Sequence, residues 1–166
     1  LIIISDVDEI PDLKKIYQFD KKNYGVFSQK MFMYKVNLLN LDENNWHGSK
    51  ICLKKNLRSP QWLRNLKFKK YPFWRLDKVR NIQIIENGGW HFAYLHSPEN
   101  ISKKIKSFAH GEFNKESNIK IENIKQKIEK GVDIFERGYN LEKVEIDSSF
   151  PDYIFNNQKK FKDWVA

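Results

Sequence analysis

Four consecutive aliphatic residues, Leu1-Ile2-Ile3-Ile4, run directly into Ser5-Asp6-Val7-Asp8-Glu9-Ile10-Pro11. A short apolar run rich in β-branched residues reads as a buried strand over 1–5, and the acids mark where it leaves the core. Strand side chains repeat every second residue, so a strand carried through this point aims Asp6 and Asp8 at one spot beyond its end. Two carboxylates there suit a hard divalent cation, because Mg²⁺ or Mn²⁺ shared with a diphosphate needs only one or two protein carboxylates. The carboxyl edge of a sheet is also where open α/β folds bind ligands. The plain alternative is that both aspartates cap the next helix or stand in water, and on spacing alone the two readings balance. The chain opens on the strand with no initiator Met, so an N-terminal portion is expected to precede it.

Downstream, the pattern is mixed. Leu13, Ile16 and Tyr17 have helical spacing over 12–19, and the alternation over 31–41 predicts a long strand. Asp42 to Asn45 is turn chemistry, after which 46–53 returns as an antiparallel partner. Ser59-Pro60 opens a helix, 82–85 and 90–95 are short strands on either side of the Asn87-Gly88-Gly89 turn, and Ser97-Pro98-Glu99 opens a helix to about Phe108. A lysine-rich amphipathic helix over 119–130 stops at Gly131, 144–146 reads as a strand, and 152–164 as a terminal helix. The whole reads as one α/β domain, residues 1–166, with a single core.

At 40% hydrophobic and 14% aromatic residues the chain has enough apolar surface to fold. The net charge of +9 suggests nucleic acid, but Arg occurs only at 58, 64, 75, 80 and 137, and Lys is scattered among Asn and Ile. Specific nucleic-acid sites use Arg forks and clustered charge, so a solvated basic surface is the better reading, able still to attract an anionic substrate. A basic module for nucleic acid or acidic glycans is the weaker alternative. The single Cys52 excludes an internal disulfide and a cysteine-rich zinc site. No apolar run reaches the length of a membrane span.

Ser5-Asp6-Val7-Asp8-Glu9-Ile10-Pro11 with Gly89-Trp90-His91-Phe92 resembles glycosyltransferase family 17, the β-1,4-mannosyl-glycoprotein N-acetylglucosaminyltransferases. Ser97-Pro98-Glu99-x-Ile101 and Ser107-Phe108-Ala109-His110-x-Glu112-Phe113 extend the match through most of the chain. The resemblance implies a GT-A-type nucleotide-sugar transferase fold, of which this chain is the C-terminal catalytic portion, a mixed sheet flanked by helices. The N-terminal nucleotide-binding part is expected outside it. It also implies an inverting mechanism, UDP-GlcNAc as donor, a glycan acceptor, and Mn²⁺ or Mg²⁺ as cofactor. A haloacid-dehalogenase-type phosphatase shares the acidic strand tip, with Asp6 as nucleophile. That pattern continues into a small residue and Thr, whereas Glu9-Ile10-Pro11 follows here.

On this resemblance Asp8 ligates the metal, Asp6 reaches it through water or contacts the donor ribose, and His110 completes the shell. Glu99, or else Glu112, is the base that takes the acceptor hydroxyl's proton; the ordinary role of Glu99 is a helix-dipole contact in a first turn. Glu9, Trp90 and His91 shape the sugar site, the plain alternative for the last two being a buried Trp with a satisfied His beside it, and Arg75 and Arg80 contact diphosphate as planar forks, or else form surface salt bridges. Trp46, His47 and Trp62 carry no role legible from sequence, and Tyr71, Phe73 and Trp74 read as core. The expected compartment is the cytoplasm for a microbial or viral protein and the Golgi lumen for a eukaryotic one.

Overall fold

The computed structural model of the protein describes residues 1–20, 23–68, 72–107 and 116–166. In chain order they form β1 (Ile2–Ile4), β2 (Glu9–Pro11), β3 (Tyr24–Met33), β4 (Leu38–Asn40), β5 (Trp46–Cys52), α1 (Pro60–Arg64), β6 (Gln83–Ile85) and β7 (Gly89–Ala93). Then follow α2 (Pro98–Ser107), α3 (Glu116–Ile119), α4 (Ile121–Glu129), β8 (Leu141–Lys143) and α5 (Asp152–Asn156), with 3₁₀ turns at Leu13–Gln18, Lys54–Asn56 and Gln158–Trp164. The class is α/β. β1 with β5, β5 with β3, β3 with β4, β4 with β8 and β2 with β7 pair antiparallel, while β6 runs parallel to β3, so the sheet is mixed and helices flank it. Among the described residues no helix is long and apolar enough to cross a membrane.

The chain divides into two compact units, residues 1–30 with 45–91, and residues 31–44 with 92–166. In the first, β5 lies between β1 and β3, with Ile2 and Tyr24 both opposite Cys52. β1 pairs on one side only among the described residues and is half-buried, unlike the fully buried strand its composition suggests. Phe19, Phe27, Ile51 and Ile85 pack as one apolar cluster, and Tyr24, Cys52 and Leu63 as another, with Trp62 against the second. Ser59 caps α1 through the Trp62 amide, with Pro60 as the first helical residue, as the sequence indicates. Phe73 and Trp74 are exposed instead of forming core, and Tyr71 lies outside the described residues.

In the second unit the residues 31–33 of β3 pair with β4, and β4 pairs with β8. The single strand expected over 31–41 is broken at Tyr34, which takes φ +65°, and the 34–37 segment turns before β4 begins. The reason is tertiary. Tyr34 is almost fully buried, and its hydroxyl donates to Asp133 and accepts from the Ile134 amide, an anchor worth more than continued alternation. Ile101 and Ile105 of α2 and Ile124 and Ile128 of α4 fill the core from one face of each helix, with Met31, Met33 and Ile134. Ser102 ties α2 to the Ile119 carbonyl at the end of α3. β8 forms three residues before the expected position, and the terminal helix is a short α5 followed by a 3₁₀ stretch.

Candidate functional site

The acidic motif lies in the first unit, and its backbone departs from the strand geometry inferred for it. Asp6 to Glu9 is a tight turn closed by the Glu9 amide donating to the Asp6 carbonyl at 3.1 Å. Asp is favoured at the first position of such a turn, and Val7 at its tip is fully exposed. Strand alternation therefore does not set the directions of Asp6 and Asp8. Each carboxylate has its own partner instead. Arg64, the last residue of α1, grips Asp6 as a fork, Nε to Oδ1 at 2.5 Å and Nη2 to Oδ2 at 3.0 Å. Asp8 Oδ2 lies 3.5 Å from Nε2 of His91.

The turn feeds β2, and β2 pairs antiparallel with the start of β7 in the register Glu9 to His91, Ile10 to Trp90 and Pro11 to Gly89. The two strings that carry the family resemblance, far apart in sequence, are thus hydrogen-bonded neighbours. Gly89 permits this approach. It takes φ +137°, and a Cβ there would strike the Ile10 carbonyl and crowd the Asp12 amide. Trp90 and His91 follow one another along β7 and so leave opposite faces of the strand. The aromatic ring beside His91 is that of Trp46, at 4.7 Å between centroids and tilted 35°.

Trp46 also donates its indole N–H to Oε1 of Glu9 at 2.9 Å. Oε2 of Glu9 accepts from the Asp6 amide and from the Ser49 hydroxyl, so Glu9 braces the turn from inside. Ser49 in turn accepts from Ser5 at 2.6 Å and from Gln29 at 3.2 Å, and both Ser49 and Gln29 are fully buried. A bulge in β5 makes this possible. Ser28 sits opposite His47 and Val26 opposite Lys50, which leaves Gly48 and Ser49 together facing Phe27. Gly48 to Cys52 are all buried, and a Cβ on Gly48 would strike the Gln29 amide oxygen and crowd the Glu9 carboxylate.

Lys50 is buried, its ammonium donating to the His47 carbonyl at 2.9 Å and to that of Gly48. Burial pushes its pKa below the ordinary lysine value, with the charges of Glu9 and Asp6 pulling the other way. The Arg64 fork holds the Asp6 carboxyl below the usual carboxylate range, more strongly than partial burial lifts it. His91 is 6% exposed, and its Nδ1 is buried without a hydrogen-bond partner among the described residues. Its free direction is therefore Nε2, toward Asp8.

The remaining expected site residues lie elsewhere. Arg75 forks onto Asp77 at 2.7 and 2.9 Å, and Arg80 donates to the carbonyls of Pro72, Phe73 and Arg75, pinning that loop. Glu99 belongs to the second unit, in the first turn of α2, 3.7 Å from Lys125. Its own amide, then Ser97 and Lys125, hold its carboxyl below the usual range. His110 and Glu112 lie outside the described residues. Sequence reasoning missed Trp46, Ser49, Gln29, Lys50 and Arg64, which are brought in by β5, β3 and α1. Only the Trp46 indole, an amphipathic ring beside a turn, carried a faint signal.

Among the described residues no three His, Cys, Asp or Glu side chains form a cluster able to hold a metal by themselves. The donors present, Asp8 half-exposed and Asp6 engaged with Arg64, fit an ion shared with a phosphate ligand better than one caged by protein. No family model matches the chain, and no curated protein or solved structure matches it significantly.

Proposed function

We propose that the protein is a metal-dependent inverting glycosyltransferase of GT-A type, moving a sugar from a UDP-sugar to a hydroxyl of a glycan acceptor. GlcNAc is the sugar its likeness to family 17 favours. The observation that carries the reading is the β2–β7 register, which sets Asp8 against His91 and joins the two motifs on which the resemblance rests. A mixed α/β sheet with the acids just beyond a strand end is compatible with it.

In this reading Asp8 and Asp6 would hold a Mn²⁺ or Mg²⁺ ion shared with the diphosphate. Such an ion supplies charge neutralisation for the departing diphosphate. Glu9 does not ligate. It fixes the turn through Trp46, Ser49 and the Asp6 amide, so that Asp8 keeps its direction. His91, buried and backed by the Trp46 ring, presents Nε2 to Asp8 or to a phosphate oxygen. The likeness to family 17 gives the role of accepting the acceptor's proton to Glu99 or Glu112. Its own amide, Ser97 and Lys125 hold the Glu99 carboxyl below the usual range, which lowers its strength as a base.

The test is UDP release from a panel of UDP-sugars with glycan acceptors, with and without Mn²⁺. We predict that Asp8→Ala lowers transfer by at least about 100-fold while leaving the unfolding midpoint near that of the wild type. EDTA should abolish activity and Mn²⁺ restore it. Full activity in Asp8→Ala, indifferent to EDTA, removes the reading.

A further inference from the structure

Among the described residues, Arg64 is the cation of the site that binds as a fork and stands half in solvent. Its side chain is half-exposed, yet it leaves α1 next to Leu63, which is fully buried and fixes the helix. Lys50 differs in both respects, being buried and tied to two backbone carbonyls. The Asp6 turn does not depend on Arg64, because the Glu9 amide and the Glu9 carboxylate hold its two ends. An exposed ion pair of this kind adds little to stability. A planar fork matches phosphate as well as it matches carboxylate.

The charges make the exchange favourable. Asp6 and Glu9 act electrostatically with both Arg64 and Lys50, and Asp8, beside His91, adds a third carboxylate, one negative charge in excess of the two cations. A divalent cation reverses that balance and makes the site attractive to a diphosphate. It also competes with Arg64 for the Asp6 oxygens.

We propose that Arg64 is an anion-binding residue held in reserve: its fork rests on Asp6 in the empty site and passes to a phosphate of a nucleotide diphosphate when the cation takes the Asp6 carboxylate. The inference deepens the transferase reading and rests on it. Asp6 is thereby both a lock on Arg64 and a ligand in waiting, and cation and diphosphate bind with positive coupling, each lowering the cost of the other's arrival.

Calorimetry of the wild-type protein, Arg64→Gln and Arg64→Lys, titrated with MnCl₂ alone and with UDP in the presence of Mn²⁺, tests it. Arg64→Gln should bind Mn²⁺ alone several-fold more tightly, because Asp6 is released, and UDP with Mn²⁺ about 10- to 100-fold more weakly. Arg64→Lys should fall between, keeping charge but losing the fork. The opposite signs matter, since damage to the fold would weaken both. Thermal unfolding checks that the variants remain folded. Wild-type affinity for UDP with Mn²⁺ in Arg64→Gln, or equal weakening of both titrations, overturns the role of Arg64 and leaves the transferase reading standing. A wild-type protein that binds no UDP with Mn²⁺ overturns both.

Discussion

Asp133 is the acid most completely enclosed by named partners, and it shows how one buried carboxylate organises a segment. It is 1% exposed, takes two guanidinium bonds and an amide bond from Arg137 at 2.8 to 2.9 Å, and accepts the Tyr34 hydroxyl at 2.6 Å. Burial alone lifts its pKa, but the bonds from Arg137 and Tyr34 outweigh burial and leave it lowered. A carboxyl whose folded pKa lies below its unfolded value stabilises the fold above the unfolded pKa and loses that contribution as pH falls through the folded one. We predict that stability declines as pH drops below about 4, read by urea unfolding across a pH series. Asp133→Asn should lower stability near pH 7 by about 3 kcal/mol, because Arg137 is left without its counter-charge, and should flatten the acid limb. A wild-type curve with no acid limb, or a variant as stable as the wild type, contradicts this. The same scale explains Trp46: an indole has one apolar face and one donor, and here the face meets His91 while the donor meets Glu9.

At the scale of elements, the pairing of β2 with β7 converts two distant strings into one site, and Gly89 is where it is most vulnerable. Its φ of +137° is closed to other residues, and an added methyl would run into the β2 backbone at Ile10. We predict that Gly89→Ala costs about 2–3 kcal/mol and lowers binding of UDP with Mn²⁺ out of proportion to that loss, since Asp8 and His91 would no longer face each other. Unfolding curves and calorimetry on the same sample separate the effects; unchanged binding in a destabilised protein would detach the register from the site. The β5 bulge works alongside it. It places two residues, Gly48 and Ser49, opposite the single Phe27, in a strand buried from Gly48 to Cys52.

For the whole molecule, the net charge of +9 is carried mainly by lysines distributed along the chain. Such a surface supports weak, salt-sensitive attraction to any polyanion. We predict that duplex DNA is retained at low salt and lost by about 0.15 M salt, whereas UDP with Mn²⁺ stays bound there and is released by EDTA. Fluorescence anisotropy of labelled ligands reads both, and DNA binding that survives salt while UDP binding is absent would favour the basic-module reading. Much of the fold was legible in the chain. Ser59-Pro60, the Asn87-Gly88 turn and the isoleucine spacing of α2 and α4 signal local structure, because capping, turn chemistry and helical periodicity act within a few residues. The acids of the candidate site were legible for the same reason, as a polar cluster abutting an apolar run. The break at Tyr34, the turn that separates Asp6 from Asp8, and the recruitment of Arg64, Trp46 and Lys50 were not. Tyr34, Arg64 and Trp46 depend on partners dozens of residues away, Asp133, Asp6 and Glu9, and burial and hydrogen bonding at that range override local preference. Sequence alone determined which chemistry was present; the tertiary structure decided which side chains meet, because contact is a property of packing and not of spacing along the chain.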